Sequence, residues 1–353
     1  MAKVISSLSA KKVQLQTMPD TNQAALSTFQ HAAQDESRLG GYAYQVICKQ
    51  SQTIAALRSP VLADKDSEDL HQMRIATRRL TAAVILFQDA ISMVSKKGKP
   101  QSTEKLIKSI REITKVLGGV RDMDVMQRWF LSVLENDTDN RFSKQEKKTI
   151  RALLKTIKKR RKKRFAKLVS FLEGDRYQKT MRRFKRWIKQ PSFTEFAQSD
   201  ISVAAAEKVV EPIAKLLQHP AWRMASCSVS DRSDSQLEPI SSLTLAQLNQ
   251  QLAEGGQQLH DLRKQIKNVR YQTEFFRGLY GITYASQVRE FRTLQKILGG
   301  LQDQIVVSQF LTDEIGENWA QKLPTIAADF QNSRLSLWQQ WQPYQQKYLK
   351  LSR

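Results

Sequence analysis

The feature that most limits what this chain can fold into is a repetition inside it. His71, Arg74 and Arg78 recur in order and spacing as His260, Arg263 and Lys267, and Leu117-Gly118-Gly119-Val120-Arg121-Asp122 recurs as Leu298-Gly299-Gly300-Leu301-Gln302-Asp303. Counting back from each Leu-Gly-Gly aligns Lys108, Arg111 and Lys115 with Arg289, Arg292 and Lys296. Motifs that recur in the same order mark one supersecondary unit used twice. The 353 residues leave room for two such units with a sizeable combined core. The expected organisation is a loose N-terminal tail at 1–38, a first helical-bundle repeat at 39–198 and a second at 199–353.

Inside the repeats the periodicity is helical. Apolar residues return every three or four positions, Gly (13) and Pro (9) are sparse, and β-branched runs are rare, so helices with little or no strand are expected. Tyr44, Val46, Ile47, Ile54 and Leu57 mark a helix from Gly41 to about Leu57, broken by Pro60, and a second is predicted from about Ser67 to Met93. Gly98 and Pro100 end the region after it. A third helix, Glu104 to Leu117, is read as stopping at Gly118-Gly119, a C-terminal glycine signal, with the next beginning near Arg121-Asp122. On that reading Asp122, Asp124 and Asp303 are helix-start residues complementing the dipole, with Asp122 and Asp303 also placed to orient nearby cations. A further helix is expected from Ile201 to Leu217, stopped by His219-Pro220, and the Ser/Asp-rich stretch 226–242 is expected to be a mobile loop.

Each residue of a helix turns by about 100°, so His71, Arg74 and Arg78 fall within about 60° of one another and form one stripe, with Met73, Ala76, Leu80 and Phe87 on the opposite side. His260, Arg263, Lys267 and Arg270 repeat this against Leu262, Ile266 and Val269. With Lys108/Arg111/Lys115 and Arg289/Arg292/Lys296 the stripes number four. Like charges at these spacings repel by a few tenths of a kcal/mol per pair. Carboxylates are scarce on these faces, so an external anion is the expected compensation. The whole chain points the same way, with 57 Lys and Arg against 34 Asp and Glu and a formal net charge of +23. That excess calls for nucleic acid, an anionic membrane or a phosphate polymer as partner. A phosphate chain suits the stripes because Arg presents a planar fork of donors and Lys a mobile charge to its oxygens. Near such a chain the protonated forms of His71 and His260 are favoured, so binding should tighten at mildly acidic pH.

Other chemistries find little support. His71 and His260 stand among Arg and Lys with no second His or carboxylate pair at ligand spacing, which argues against a metal. His31 and His219 have no repeat counterpart and read as ordinary surface residues. No carboxylate pair for Mg²⁺, glycine-rich phosphate loop or activated nucleophile is evident, so neither an enzyme nor a cofactor is expected. Cys48 and Cys227 are the only cysteines, which provides no disulfide framework and implies a reducing compartment. No secretory core and no run of 18 apolar residues is present, so no membrane span is expected.

The segment 141–190 carries 21 Lys or Arg against Glu146, Glu173 and Asp175. Within it Lys158 to Arg164 is unbroken, so its cations surround the helix and read as a solvated face. Trp187, Trp222, Trp319, Trp338 and Trp341 sit in apolar helical patterns and read as core members instead of platforms for bases.

H-Q-M-R-I-A-T-R-R-L at His71–Leu80 and L-H-D-L-R-K-Q-I-K-N-V-R-Y at Leu259–Tyr271 resemble the two signature helices of CHAD domains, the conserved histidine alpha-helical domains. The two L-G-G-x-x-D segments resemble that family's turn between its third and fourth helices, so the likeness spans about residues 40 to 353. It implies an all-α fold of two pseudo-symmetric four-helix bundles around a basic central groove or pore that binds inorganic polyphosphate without turning it over. Carried over by position, His71, Arg74, Arg78 and Arg79 match the first motif, and His260, Arg263, Lys267, Arg270 and Tyr271 the second. Thr81 stands where the first motif often has another basic residue, which implies a weaker grip at that end. Adding Lys264 and the four-stripe partners Lys108, Arg111, Lys115, Arg289, Arg292 and Lys296 completes the expected polyphosphate-binding set. No E-x-E-x-K signature of the CYTH triphosphatases, to which this family is also found fused, is present, so a stand-alone module is expected. Its expected place is the cytoplasm, in association with polyphosphate granules. The alternative reading is a nucleic-acid-binding protein that uses the 141–190 basic segment.

Overall fold

A computed structural model describes residues 35–93, 102–229, 236–239 and 243–351. Most of the expected tail, His31, Gly98 and Pro100 therefore lie outside the described residues. The fold is all-α, built on α1 (Leu39–Ala56), α2 (Ser67–Leu86), α3 (Thr103–Glu135), α4 (Lys144–Glu173), α5 (Asp175–Lys189), α6 (Ile201–Leu217), α7 (Leu245–Phe275), α8 (Ile282–Ile315) and α9 (Pro324–Leu351), with short helical turns between some of them.

Local chemistry sets many of the helix starts. The Asp66 carboxylate accepts the Glu68 amide at 2.8 Å and opens α2, and Glu68 and Asp69 place negative charge in its first turn. Thr244 and Gln247 form a reciprocal capping box at the start of α7. Ser143 and Glu146 do the same at the start of α4, and Glu146 also accepts the Thr325 amide of α9 at 3.0 Å.

The glycine pairs do not end helices. Gly118-Gly119 lies inside α3 and Gly299-Gly300 inside α8, so the expected break before Arg121-Asp122 is absent and Asp122, Asp124 and Asp303 are mid-helix residues. A glycine costs about 1 kcal/mol against alanine within a helix. That cost is outweighed here because buried Ile110, Ile113, Leu117, Val120 and Met123 run straight through the pair, as do Phe291, Leu294, Ile297, Leu298 and Leu301. The glycines instead allow close approach: a Cβ on Gly300 would stand 2.9 Å from Leu337 Cδ1.

Two further expectations change. The helix predicted to reach Met93 stops at Leu86, because residues 91–92 pair antiparallel with 192–193 and Thr194 donates its amide to the Ala90 carbonyl. The 226–242 loop contains a hairpin, with Ser226–Val229 antiparallel to Gln236–Pro239, an arrangement that needs backbone pairing and no apolar run. The last residues of the expected tail are tied down as well: Leu39 donates to the Ser199 carbonyl and Ile201 to that of Ser37, each at 2.9 Å.

The chain divides into two compact units. The first holds the described residues up to Thr138 together with Ile150–Ala206. Its core gathers Ile47, Ile54, Met73, Leu80, Phe87, Ile110, Leu117, Phe130 and Phe184. Helix α5 closes it with Tyr177, Phe184 and Trp187 inward and Arg176, Lys179, Arg182 and Lys185 in solvent. The second unit holds Asp139–Thr149 and the chain from Glu207 onward. At its centre Trp222 is sandwiched between Trp341 (ring centroids 4.8 Å, planes 7° apart) and Tyr348 (4.3 Å, 9°), with its indole N–H donated to the Leu216 carbonyl at 2.7 Å. Trp187, Trp338 and Trp341 are buried too, and Trp319 is half-buried against Phe330. Trp187, Trp222, Trp338 and Trp341 are core members, and Trp319 lies at the edge of the core.

Candidate functional site

In the first unit the His helix α2 lies against α3 as a ladder of opposed residues. At its near end Arg128 donates to the Ser67 hydroxyl at 3.2 Å. Three turns along, the Arg74 side chain crosses Gly118 so closely that a Cβ there would be 3.4 Å from Arg74 Nε. Between these contacts His71 faces Arg121, which is 8 % exposed. Three donor or acceptor atoms in this stretch, His71 Nδ1, Arg74 Nε and Arg121 NH1, are buried with no hydrogen-bond partner. Burial first, then the charges of Arg121, Arg74 and Arg128, lower the His71 pKa, with Glu68 opposing them. Asp122 reaches solvent, yet burial among protein atoms raises its carboxyl above the usual range, and Arg74 and Arg164 pull it back.

The unbroken basic run on α4 is more ordered than a solvated face. Arg161 makes a bidentate pair with Asp64 (2.6 and 2.7 Å) and donates Nε to Asp124 at 2.6 Å, while Arg164 donates to the Gly119 carbonyl at 2.9 Å. Lys158, Lys159, Lys162 and Lys163 of the same run remain exposed.

The second unit repeats the central contact. Arg263 crosses Gly299, where a Cβ would be 3.8 Å from its Nε, and that Nε also lacks a partner. Asp303, like Asp122, reaches solvent and is raised by burial, with Arg263 opposing. Here the histidine is paired, His260 Nδ1 donating to Gln302 Oε1 at 2.6 Å. Arg270 stacks on Tyr271 (4.4 Å to the ring centroid) and bonds Gln295 and Glu274, and the Glu274 carboxylate also takes Arg292 at 2.7 Å. Compensation that was expected only from outside is therefore supplied in part by Glu274, which ties one stripe of this unit to the other. Lys264 turns to Asp261 at 3.1 Å.

The burial of the expected residues follows the repeat. His71, Arg74, Arg78 and Arg79 on α2 and His260, Arg263, Lys267 and Arg270 on α7 are half-buried. Lys108, Arg111 and Lys115 on α3, Arg289, Arg292 and Lys296 on α8, and Lys264 are exposed. Each unit thus has a recessed cationic row beside an exposed one. Four residues at these rows are not in the expected binding set: Arg121, Arg128, Arg164 and Glu274. The i, i+4 spacing of Arg270 and Glu274 is a signal that was there to be read. His219, expected to be an ordinary surface residue, caps the turn at Pro220–Arg223 by accepting the Ala221 amide at 3.2 Å. Among the described residues no group of three His, Cys, Asp or Glu converges to hold a metal, and no helix is long and apolar enough to cross a membrane.

Comparison with known proteins bears on this arrangement. The CHAD domain family profile matches residues 45–312. Among solved structures, the CHAD domain from the plant Ricinus communis aligns at 23 % identity with a TM-score of 0.53, covering 90 % of this chain and 91 % of that one. PptA from Streptomyces chartreusis aligns at 12 % identity with a TM-score of 0.59, covering 89 % of this chain and 100 % of the other. At such identities the likeness is one of fold. No curated protein sequence matches. With the family profile spanning more than half of the sequence, both signature helices inside it and the fold shared with a solved CHAD domain, the chain belongs to the CHAD domain family.

Proposed function

We propose that this protein binds inorganic polyphosphate without chemically altering it, through the His/Arg/Lys rows contributed by the repeats 39–198 and 199–353. The observation that carries the reading is the recurrence of one contact. Arg74 over Gly118 and Arg263 over Gly299 are each held by packing against a helix backbone, with Nε left without a protein acceptor. An arginine placed this way keeps its charge available at a fixed position, and a phosphate chain supplies the acceptors. The family resemblance supports the same ligand. Affinity of this kind comes largely from counterion release and falls steeply with salt.

Charge reversal tests the reading. Arg74→Glu combined with Arg263→Glu is expected to abolish binding of long-chain polyphosphate in calorimetry while the far-UV circular dichroism of the fold persists. Normal binding by that variant would place the site elsewhere.

A second reading has one observation in its favour. Lys148, Arg151, Lys155, Lys158 and Lys162 form an exposed row along α4, a surface suited to a nucleic-acid backbone. Competition separates the two: on the polyphosphate reading, long-chain polyphosphate displaces DNA at a far lower phosphate concentration than the reverse.

A further inference from the structure

The two His helices are not equally charged along their neighbours. Aligning the repeats sets Arg121 against Gln302 and Arg128 against Gln309, so the ladder of the first unit carries two arginines where the second carries two amides. The consequence is visible in the contacts. In the second unit Gln302 Oε1 accepts from His260 and Gln309 turns to Asp313. In the first, His71 Nδ1 and Arg121 NH1 are buried without hydrogen-bond partners, and Arg121 is more than nine-tenths buried, with Arg128 and Arg74 acting on it from one side of the balance and Asp124 and Glu68 from the other. A folded protein rarely keeps a buried charged donor unpaired unless something else pairs it.

The place where this cluster sits is equally informative. Helix α2 begins at Ser67, one turn before His71, and its opening carries Asp66, Glu68 and Asp69. An anionic chain lying along the row Arg74, His71, Arg121, Arg128 therefore meets carboxylates just beyond Arg128. Helix α7 begins at Leu245, several turns before His260, and has no acidic residue in its first turn. Arg128 opens onto a cleft of about 680 Å³ where Lys158 and Lys162 are exposed and where Asp64, Asp66 and Asp124 also stand, so cations that attract a phosphate group lie beside carboxylates that stop the chain from running further.

We propose that His71, Arg121 and Arg128 form an end site, one that takes the terminal phosphate of a polyphosphate chain, whereas the second unit grips internal phosphates only. The chemistry favours the end because a terminal unit carries a second ionisable oxygen that internal units lack, and so suits a site where His71 Nδ1 and Arg121 NH1 have no protein hydrogen-bond partner. The proposal rests on the polyphosphate reading for its ligand class, and it gives the bound chain a direction.

The test compares inorganic triphosphate, rich in ends, with long-chain polyphosphate, poor in them, by calorimetry at fixed salt on the full chain. Arg121→Gln with Arg128→Gln makes the first ladder resemble the second. Triphosphate is expected to lose at least tenfold more affinity than the long chain, and the ligand-free variant is expected to melt at a higher temperature, since a buried donor without a hydrogen-bond partner has gone. Arg128→Gln alone, at an exposed position, guards against misfolding and should weaken triphosphate about threefold. Equal losses for the two ligands would make these arginines ordinary members of the row and overturn the end site, as would unchanged triphosphate binding or a lower melting temperature of the double variant. Wild-type protein that binds neither ligand overturns the polyphosphate reading and the end site together. Wild-type protein that binds the long chain normally, with triphosphate binding blind to Arg121 and Arg128, overturns the end site alone.

Discussion

Replacing Gly118 by Ala should stabilise this protein and weaken its grip on polyphosphate, two effects that a purely structural glycine would not combine. The position is inside α3, where alanine is favoured over glycine by about 1 kcal/mol. The added Cβ would meet Arg74 Nε at 3.4 Å and NH2 at 3.7 Å, the edge of ordinary contact, so steric cost takes back only part of that gain. A net stabilisation of about 0.5–1 kcal/mol corresponds to a rise in melting temperature of roughly 1–4 °C for a unit of this size. The guanidinium, however, lies over the position the methyl group would fill, so it loses the freedom to settle closer to the helix as a phosphate draws on it. Losing part of one charge-assisted hydrogen bond, about 1 kcal/mol, is a roughly fivefold loss of affinity. Gly119→Ala is the control: its Cβ meets Arg164 Cδ at 3.8 Å and nothing of Arg74, so it should gain the same stability with affinity unchanged. Thermal melting followed by calorimetric titration measures both. If Gly118→Ala and Gly119→Ala bind polyphosphate equally well, the placement of Arg74 over the helix has no part in binding.

Two further predictions concern protons. Because burial and Arg121 lower the His71 pKa in the free protein, with Arg74 and Arg128 on the same side and Glu68 against, His71 is neutral at pH 7 and its burial costs stability as pH falls below about 6.5. A bound polyanion reverses the preference, so binding near pH 6 should take up protons, seen as buffer-dependent heats in calorimetry, and His71→Asn should reduce that uptake; equal uptake in wild type and variant would refute the assignment. Burial of Glu146 would raise its pKa, but hydrogen bonds from Ser143 and Thr325 outweigh this and lower it, so its stabilising effect is full above the usual carboxylate range and is lost as pH falls through the lowered value. Glu146→Gln should cost about 1–3 kcal/mol in denaturant melts at pH 7 and flatten the acid limb of the stability profile; an unchanged acid limb would contradict this.

What could be read from the sequence was whatever repeats locally. Helix α6 was bounded at Ile201 and Leu217 by apolar spacing and the His219-Pro220 stop, and the observed helix has those ends. The stripe residues were found by counting offsets, and their half-buried and exposed rows follow the same offsets. The glycine pairs misled because a glycine followed by an acidic residue is a local sign of a helix boundary, whereas the reason for Gly118 and Gly300 lies in Arg74 and Leu337, far off in sequence. Nothing in V-R-D-M-D says that Arg121 is buried; that depends on α2 covering it. Arg161 and Arg164 were hidden in a run of identical charge, and only Asp64, Asp124 and the Gly119 carbonyl, supplied from elsewhere in the chain, distinguish them from the lysines beside them.

The sandwich of Trp222 between Trp341 and Tyr348 has an optical consequence. Two indoles 4.8 Å apart with planes 7° from parallel couple their electronic transitions, so the second unit carries its own near-ultraviolet circular dichroism signal. Trp187, buried in the first unit beside Tyr44 and Phe193, has no stacked indole partner among its ring contacts and emits as a more independent fluorophore. Loss of the coupled signal therefore reports the second half by itself, and comparing its midpoint with that of the far-ultraviolet helical signal during thermal unfolding shows whether the halves melt in one step or in succession.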